Sequence, residues 1–125
     1  MADLKKIVLI DDSPTVRMVM GSSLEAKGFL IIYEPTAQQG LDAINEHKPD
    51  IILLDIMLPD QSGFDVLKQI KENEETKNIP VIILTGKAGG EEVITGRQLG
   101  ADDFCMKLNT SPNLMYDKIV KLIGE

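Results

Sequence analysis

Two short aliphatic runs that each end in aspartate constrain the fold of this chain more than any other feature. The first run, Ile7–Ile10, precedes Asp11 and Asp12, and the second, Ile51–Leu54, precedes Asp55. Runs of this length and composition are typical of strands buried on both faces of a parallel sheet. Because ligands bind at the carboxyl ends of such strands, we expect the three carboxylates to share one site there.

Similar runs alternate with stretches of helical periodicity along the whole chain. The predicted strands are Lys6–Ile10, Phe29–Tyr33, Ile51–Leu54, Val81–Leu84 and Asp103–Met106. The predicted helices, one after each strand, are Pro14–Ala26, Ala37–His47, Gly63–Asn73, Glu91–Leu99 and Pro112–Ile123. This alternation predicts an α/β fold, a doubly wound parallel sheet with helices on both faces. No stretch has the composition of a linker, so we expect residues 1–125 to form a single domain.

The composition argues against several classes of partner. Twenty acidic and thirteen basic residues give a formal net charge of -7, which disfavours contact with nucleic-acid phosphates and anionic membranes. We therefore expect no direct nucleic-acid partner and no membrane partner. One cysteine allows no internal disulfide, and the N-terminus lacks a long apolar segment. Both features favour a cytoplasmic protein.

The predicted cluster of Asp11, Asp12 and Asp55 needs a positive partner or bound protons, because three carboxylates repel one another at short range. A hard divalent cation such as Mg²⁺ fits a set of oxygen ligands that a backbone carbonyl and waters complete. Lys107 follows the fifth predicted strand and can supply a second positive charge. Thr85 follows the fourth predicted strand and can supply a hydroxyl.

These residues, taken together with their neighbours, carry a resemblance that covers essentially the whole chain. The matching segments are Asp11-Asp12, Asp55 followed by Leu58-Pro59 and Gly63, Thr85-Gly86-Lys87, Gly100-Ala101-Asp102-Asp103-Phe104, and Lys107. The chain resembles receiver domains of bacterial two-component response regulators, of the chemotaxis-regulator type, which accept a phosphoryl group from a histidine kinase. The resemblance implies a flavodoxin-like (βα)5 fold with strand order 2-1-3-4-5.

The resemblance also implies a role for each site residue. Asp55 is the expected phosphoacceptor, and Asp11, Asp12, Asp55 and the backbone carbonyl of Met57 are the expected Mg²⁺ ligands. Lys107 is expected to neutralise the phosphoryl oxygens from the opposite side, since phosphoryl transfer depends mainly on alignment and charge neutralisation. Such a domain assists its own phosphorylation and dephosphorylation. It is consumed in the step, so we expect a switch and not an enzyme.

The switch implied by the resemblance starts at the phosphoryl group. Thr85 and Lys107 are expected to move towards the new oxygens, after which Phe104 swings inward. This movement changes the surface of the fourth helix, fifth strand and fifth helix, the α4-β5-α5 face. The expected partners are a histidine kinase or phosphotransfer protein as donor and a downstream protein on that face. The expected oligomeric state is a monomer or a weak phosphorylation-dependent dimer.

The chain departs from the family pattern at two positions. Leu108 stands where most receivers have a proline, often joined by a cis bond to the preceding lysine. Because a cis bond before leucine costs roughly 2.5–4 kcal/mol, we expect a trans Lys107-Leu108 bond and a rearranged loop over Leu108–Thr110. The aromatic switch position holds Phe104 in place of the common tyrosine, so its side chain cannot donate a hydrogen bond.

Two other functions remain open at this stage. A non-phosphorylated interaction module could keep the fold without the chemistry, although all five expected site positions are present. A flavin-binding redox module could share the topology, but Asp11 and Asp12 would repel phosphate where such proteins bind it. We expect the domain to act alone, although a receiver cut from a longer regulator would have the same sequence.

Overall fold

Strands and helices alternate along the chain. The computed structural model describes residues 4–86, 90–107 and 111–124, with Pro112 described only by its backbone. The strands are β1 (Lys6–Ile10), β2 (Leu30–Glu34), β3 (Ile51–Asp55), β4 (Val81–Thr85) and β5 (Asp103–Met106). The helices are α1 (14–26), α2 (Ala37–His47), α3 (Gly63–Glu72), α4 (Gly90–Gln98) and α5 (Pro112–Ile123). Every predicted element is confirmed, each boundary to within one residue.

The five strands within the described residues form one parallel sheet in the order β2-β1-β3-β4-β5. The expected strand order is therefore confirmed. The strand order reverses between β1 and β3, where the carboxyl ends diverge to leave a crevice. Ile10, the last residue of β1, pairs with Leu54 of β3, so Asp11 and Asp55 follow at the same edge of the sheet.

Alternate residues of the strands enter two separate cores, because successive side chains point to opposite faces of a sheet. Ile7 and Leu9 pack on one face with residues of α1 and α5. Val8 and Ile10 pack on the other face with residues of α2 and α3. The helices thus cover both faces of the sheet, as predicted.

Local sequence signals explain where several helices begin. The side chains of Ser13, Thr36, Ser62 and Ser111 each accept a hydrogen bond from a backbone N–H in the first turn of a helix. Helix α1 comprises α-helical Pro14–Val16, a π-helical turn over Arg17–Gly21, and α-helical Ser22–Ala26. The sequence signals therefore locate the helix, but its middle turn differs from a regular α-helix.

Two further expectations concern membrane-spanning helices and the Lys107-Leu108 bond. None of the helices in the described ranges combines the length and hydrophobicity needed to cross a bilayer. The expectation of a trans Lys107-Leu108 bond with a rearranged loop depends on Leu108–Thr110, which lies outside the described residues.

Candidate functional site

The crevice at the carboxyl edge of the sheet gathers the three predicted carboxylates. One oxygen each of Asp11, Asp12 and Asp55 lies within 4.8 Å of the other two. Asp11 and Asp55 are buried, whereas Asp12 is exposed. The strand register accounts for this cluster, because β1 and β3 are neighbours and end at the same level.

Lys107 joins the cluster from the end of β5. Its Nζ lies 3.0 Å from Asp55 Oδ2 and 3.1 Å from Asp11 Oδ2. Its backbone N–H donates to the carbonyl of Thr85 at 2.9 Å, which fixes the start of the loop. Burial alone would lower the pKa of Lys107, but the hydrogen bond that its ammonium donates to Asp55 and the charges of both aspartates outweigh that effect and raise the pKa. Lys107 is therefore a permanent cation of the site at neutral pH.

Asp11 has the most deeply buried side chain of the three carboxylates. Its Oδ1 accepts a 2.8 Å hydrogen bond from the backbone N–H of Ser13. Burial raises the pKa of Asp11 and the charge of Asp55 raises it further, against the opposing effects of Ser13 and Lys107. Its Oδ2 is buried and accepts no well-oriented hydrogen bond from the described residues, although the Lys107 ammonium is near. The Lys107 charge therefore stabilises this buried oxygen without a well-oriented hydrogen bond, and a further positive group would stabilise it more.

The donor set fits a hard divalent cation. All three side chains offer carboxylate oxygens, and a bound cation would satisfy Asp11 Oδ2, for which the described part of the chain provides no well-oriented hydrogen-bond donor. Met57, whose carbonyl is a further ligand expected from the family resemblance, directly follows the buried Ile56. Its backbone N–H donates to Asp55 Oδ1 at 3.2 Å, so the peptide lies at the edge of the cluster.

A cavity of about 280 Å³ opens beside Asp55, and its described lining residues are Asp55, Ile56, Met57, Thr85, Gly86, Glu92 and Lys107. Thr85 is buried at the end of β4, and its hydroxyl donates to Glu92 Oε2 at 3.3 Å. Sequence reasoning did not single out Glu92, an acidic residue in the first turn of α4. Acidic residues are common there because they favour the helix dipole, so its type provided no signal of a site.

Gly63 lets the backbone after β3 fold tightly against the phosphoacceptor candidate. Its N–H donates to the carbonyl of Ile56 at 2.6 Å. A Cβ atom at Gly63 would overlap with the backbone carbonyl oxygen of Asp55. Gly63 therefore has a steric role, because any side chain at this position would displace the Asp55 backbone.

Phe104 lies on β5 and packs away from the Asp55 cavity. Its ring is partly buried against the core that contains Val8 and Ile10. A Cβ atom at Gly96 of α4 would lie 2.7 Å from the ring, so ring and helix are in close contact. The Arg97 guanidinium stacks over the same ring at 5.3 Å from its centroid. The structure thus places the predicted switch residue against α4, whereas Asp11, Asp12, Asp55, Thr85 and Lys107 meet at the crevice.

Comparison with known proteins agrees with this geometry. The family model described as response regulator receiver domain matches residues 7–119. Protein PilH of Pseudomonas aeruginosa is 33% identical over 104 residues, which are 83% of this chain and 86% of that protein. The phosphate regulon transcriptional regulatory protein PhoB of the same species is 38% identical over 103 residues, which are 82% of this chain and 45% of that protein.

Solved structures show the same fold. A CheY-like response regulator receiver domain protein from Methanospirillum hungatei superimposes with a TM-score of 0.89 at 27% identity, covering 98% of this chain and 95% of that chain. The receiver domain of a sensor histidine kinase from Pseudomonas aeruginosa, with a magnesium ion coordinated in its active site cleft, has a TM-score of 0.89. At 22% identity, with coverage of 98% of this chain and 100% of that one, it bears on the fold alone.

The matches cover most of this chain but only part of several relatives. The chain spans less than half the length of PhoB and of several other curated relatives, among them a probable cyclic di-GMP phosphodiesterase of Vibrio cholerae. The matched region nevertheless includes the acidic crevice and all of the described strands apart from Lys6, the first residue of β1. The chain therefore belongs to the response regulator receiver domain family of two-component signalling.

Proposed function

We propose that this chain is a phosphoacceptor switch of a two-component phosphorelay, in which Asp55 accepts a phosphoryl group from a histidine kinase or phosphotransfer protein. The observation that carries the proposal is the pairing of Asp55 with Lys107 at 3.0 Å within an acidic cluster beside a cavity of about 280 Å³. A cavity of this size accommodates a phosphoryl group next to the carboxylate.

Asp55 supplies the nucleophile. A carboxylate oxygen forms the new O–P bond while the P–N bond to the donor histidine breaks and its electron pair stays on the nitrogen. A carboxylate that is ionised at neutral pH needs no general base for this attack. The hydrogen bond from the Met57 N–H to Oδ1 holds the carboxylate in one orientation.

The residues around Asp55 neutralise charge. Asp11, Asp12, Asp55 and the carbonyl of Met57 would hold Mg²⁺, which, when bound, supplies positive charge to the phosphoryl oxygens. Lys107 supplies an ammonium group that already lies at hydrogen-bond distance from Asp55. Phosphoryl transfer places negative charge on several oxygens at once, and donors held in advance stabilise that charge.

The phosphoryl group would then act on Thr85, Lys107 and Phe104. The hydroxyl and the ammonium are drawn to the new oxygens because charge-assisted hydrogen bonds are the stronger ones. Phe104, which packs on Gly96 of α4, responds by moving inward and changes the α4-β5-α5 face that a downstream protein binds. The phosphoryl group shifts this equilibrium only by the amount that it favours the inward form.

The proposal also includes the domain organisation, oligomeric state and cellular location of this chain. Residues 1–125 act as one receiver domain, as a monomer or as a weak dimer that phosphorylation favours. The protein works in the cytoplasm, without direct contact with nucleic acid or membrane. The domain assists its own phosphorylation and dephosphorylation but is consumed in the step, so it is a switch and not an enzyme.

The test is incubation with phosphoramidate and Mg²⁺, followed by intact-mass measurement. We expect the wild-type protein to gain the mass of one phosphoryl group and Asp55→Asn to gain none. Asp65→Asn, at an exposed carboxylate in the first turn of α3, is the matched control and should gain the same mass as the wild type. An unmodified wild type would instead support a non-phosphorylated module, and a modified Asp55→Asn protein would refute the role of Asp55.

A further inference from the structure

We propose that Glu92 is a positioning residue that holds Thr85 in the resting protein and releases it when Asp55 carries a phosphoryl group. The inference rests on the proposed function and adds to it a restraint on the switch. It predicts that the resting state is stabilised by a contact between β4 and α4 that phosphorylation must break.

Glu92 belongs to α4, the helix that the switch involves, and its carboxylate lines the cavity beside the phosphoacceptor. Glu92 Oε2 accepts a 3.3 Å hydrogen bond from the Thr85 hydroxyl, and its carboxylate lines the cavity beside Asp55 and Lys107. Glu92 also lines a second cavity of about 460 Å³, together with Phe64 and others. The two cavities share Ile56, Met57 and Glu92, so the carboxylate forms part of their common wall.

Charge makes this position of Glu92 incompatible with a phosphorylated Asp55. Phosphorylation raises the negative charge at Asp55 from about one to about two and adds acceptor oxygens, in a cavity whose wall already carries the Glu92 carboxylate. Lys107 offers little compensation to Glu92, because its Nζ contacts the carboxylates of Asp11 and Asp55. The phosphoryl oxygens repel Glu92 and compete with it for the Thr85 hydroxyl.

Release of Glu92 would affect the helix face that contacts Phe104. Glu92 and Gly96 are four residues apart in α4, so they lie on the same face of the helix. That face therefore contacts Thr85 through Glu92 and the Phe104 ring through Gly96. Loss of the Thr85–Glu92 hydrogen bond removes one of the contacts that hold α4 against β4, and this coupling connects the phosphoryl group to the aromatic switch.

The test uses Glu92→Gln and beryllofluoride, a mimic of an aspartyl phosphoryl group, titrated calorimetrically at saturating Mg²⁺. Two effects, the loss of one like charge and the weaker hydrogen bond that a neutral amide oxygen accepts from Thr85, should together tighten beryllofluoride binding roughly 3- to 5-fold. Glu91→Gln is the matched control because Glu91 has the same charge in the same helical turn but is exposed and does not line the described cavity. We expect the affinity of Glu91→Gln for beryllofluoride to lie within about 1.5-fold of the wild-type value, because an exposed charge contributes little.

A double-mutant cycle with Thr85→Val tests whether Glu92 acts through Thr85. If it does, the gain from Glu92→Gln should fall to less than half in the Thr85→Val background. In the resting protein, the Thr85 methyl resonance should shift with Glu92→Gln and stay in place with Glu91→Gln. A purely structural role of Glu92 would change stability and the Thr85 resonance but leave beryllofluoride binding unchanged.

The outcomes separate this inference from the proposed function. Tighter binding by Glu92→Gln alone, with coupling to Thr85, supports the inference. Equal binding by the two glutamine variants, or an undiminished gain in Thr85→Val, overturns it and leaves the phosphoacceptor role standing. A wild-type protein that neither binds beryllofluoride nor gains mass from phosphoramidate overturns the proposed function itself.

Discussion

Lys107 Nζ lies 3.0 Å from Asp55 Oδ2, although the two residues are 52 positions apart in the chain. The Lys107 side chain is 17% exposed and the Asp55 side chain 5%, so this ion pair is shielded from solvent. An ion pair in such surroundings is screened weakly by salt. The removal of either partner leaves a buried charge without compensation.

Substitution of Lys107 by methionine should therefore reduce stability. We expect the free energy of unfolding at pH 7, without divalent cations, to fall by about 1–3 kcal/mol, because two buried carboxylates lose their counter-charge. Urea denaturation measures this change. Lys118→Met is the matched control, since Lys118 pairs with Asp103 at 3.2 Å in a more exposed position. An equal loss in both variants would contradict the argument.

Substitution of Asp11 by asparagine should have the opposite effect. Burial and the neighbouring Asp55 raise the pKa of Asp11, which means that its ionised form opposes folding. We expect Asp11→Asn to raise the free energy of unfolding in metal-free buffer by about 0.5–2 kcal/mol. Asp42→Asn, at an exposed position of α2, should leave it nearly unchanged. A destabilised Asp11→Asn protein would show that the Lys107 pair outweighs the repulsion.

Addition of Mg²⁺ should stabilise the wild-type protein. A cation that binds the folded state alone adds about 2.7 kcal/mol at a hundred times its Kd. Thermal unfolding should therefore shift to higher temperature as Mg²⁺ is added, and Asp12→Asn should weaken that dependence. Glu46→Gln removes an exposed charge of α2 and should keep the wild-type response. If Mg²⁺ leaves the wild-type midpoint unchanged, these carboxylates do not form a metal site.

Gly63 should tolerate no side chain. A Cβ atom there meets the Asp55 carbonyl oxygen, so Gly63→Ala should lower the free energy of unfolding by about 1–3 kcal/mol and slow phosphorylation. Gly90→Ala is the matched control because a Cβ atom at Gly90 has no neighbour within 4 Å among the described residues. We expect Gly90→Ala to be neutral or slightly stabilising. Urea denaturation and intact-mass time courses distinguish the two variants.

The Tyr33 hydroxyl should ionise at a higher pH than an ordinary tyrosine. Burial and the hydrogen bond that its hydroxyl donates to Glu25 raise the pKa of Tyr33 to about 12, and Arg17 only partly opposes this. Because the folded-state pKa is raised, the stability from this group is complete below the ordinary pKa near 10 and is lost as pH rises towards 12. Ultraviolet absorbance titration of the wild type and of Tyr33→Phe isolates the transition. Glu25→Gln should move that transition to lower pH.

The sequence was sufficient to predict all ten elements because their signals are local. Aliphatic runs such as Ile51–Leu54 remain strands in any context that buries both faces. Ser13 and Ser111 cap the helices that begin with Pro14 and Pro112, as their spacing predicts. The π-helical turn over Arg17–Gly21 has no such signal in the sequence.

The candidate site was predictable only in part. Asp11, Asp12, Asp55, Thr85 and Lys107 all stand at strand ends, so the order of the strands brings them together. Glu92 was missed because it enters the site from a helix. Its position depends on the placement of α4, which adjacent residues do not determine.

The alternation of strands and helices, and the sheet edge at which the carboxylates meet, can be derived from the order of residues, because hydrophobic periodicity and the positions of strand ends are written along the chain. The contacts of Lys107 with two aspartates, the hydrogen bond from Thr85 to Glu92 and the packing of Phe104 on Gly96 could be seen only in the folded protein. These contacts join elements far apart in the chain. Their distances depend on how whole helices pack on the sheet, and close packing allows few alternatives once those positions are set.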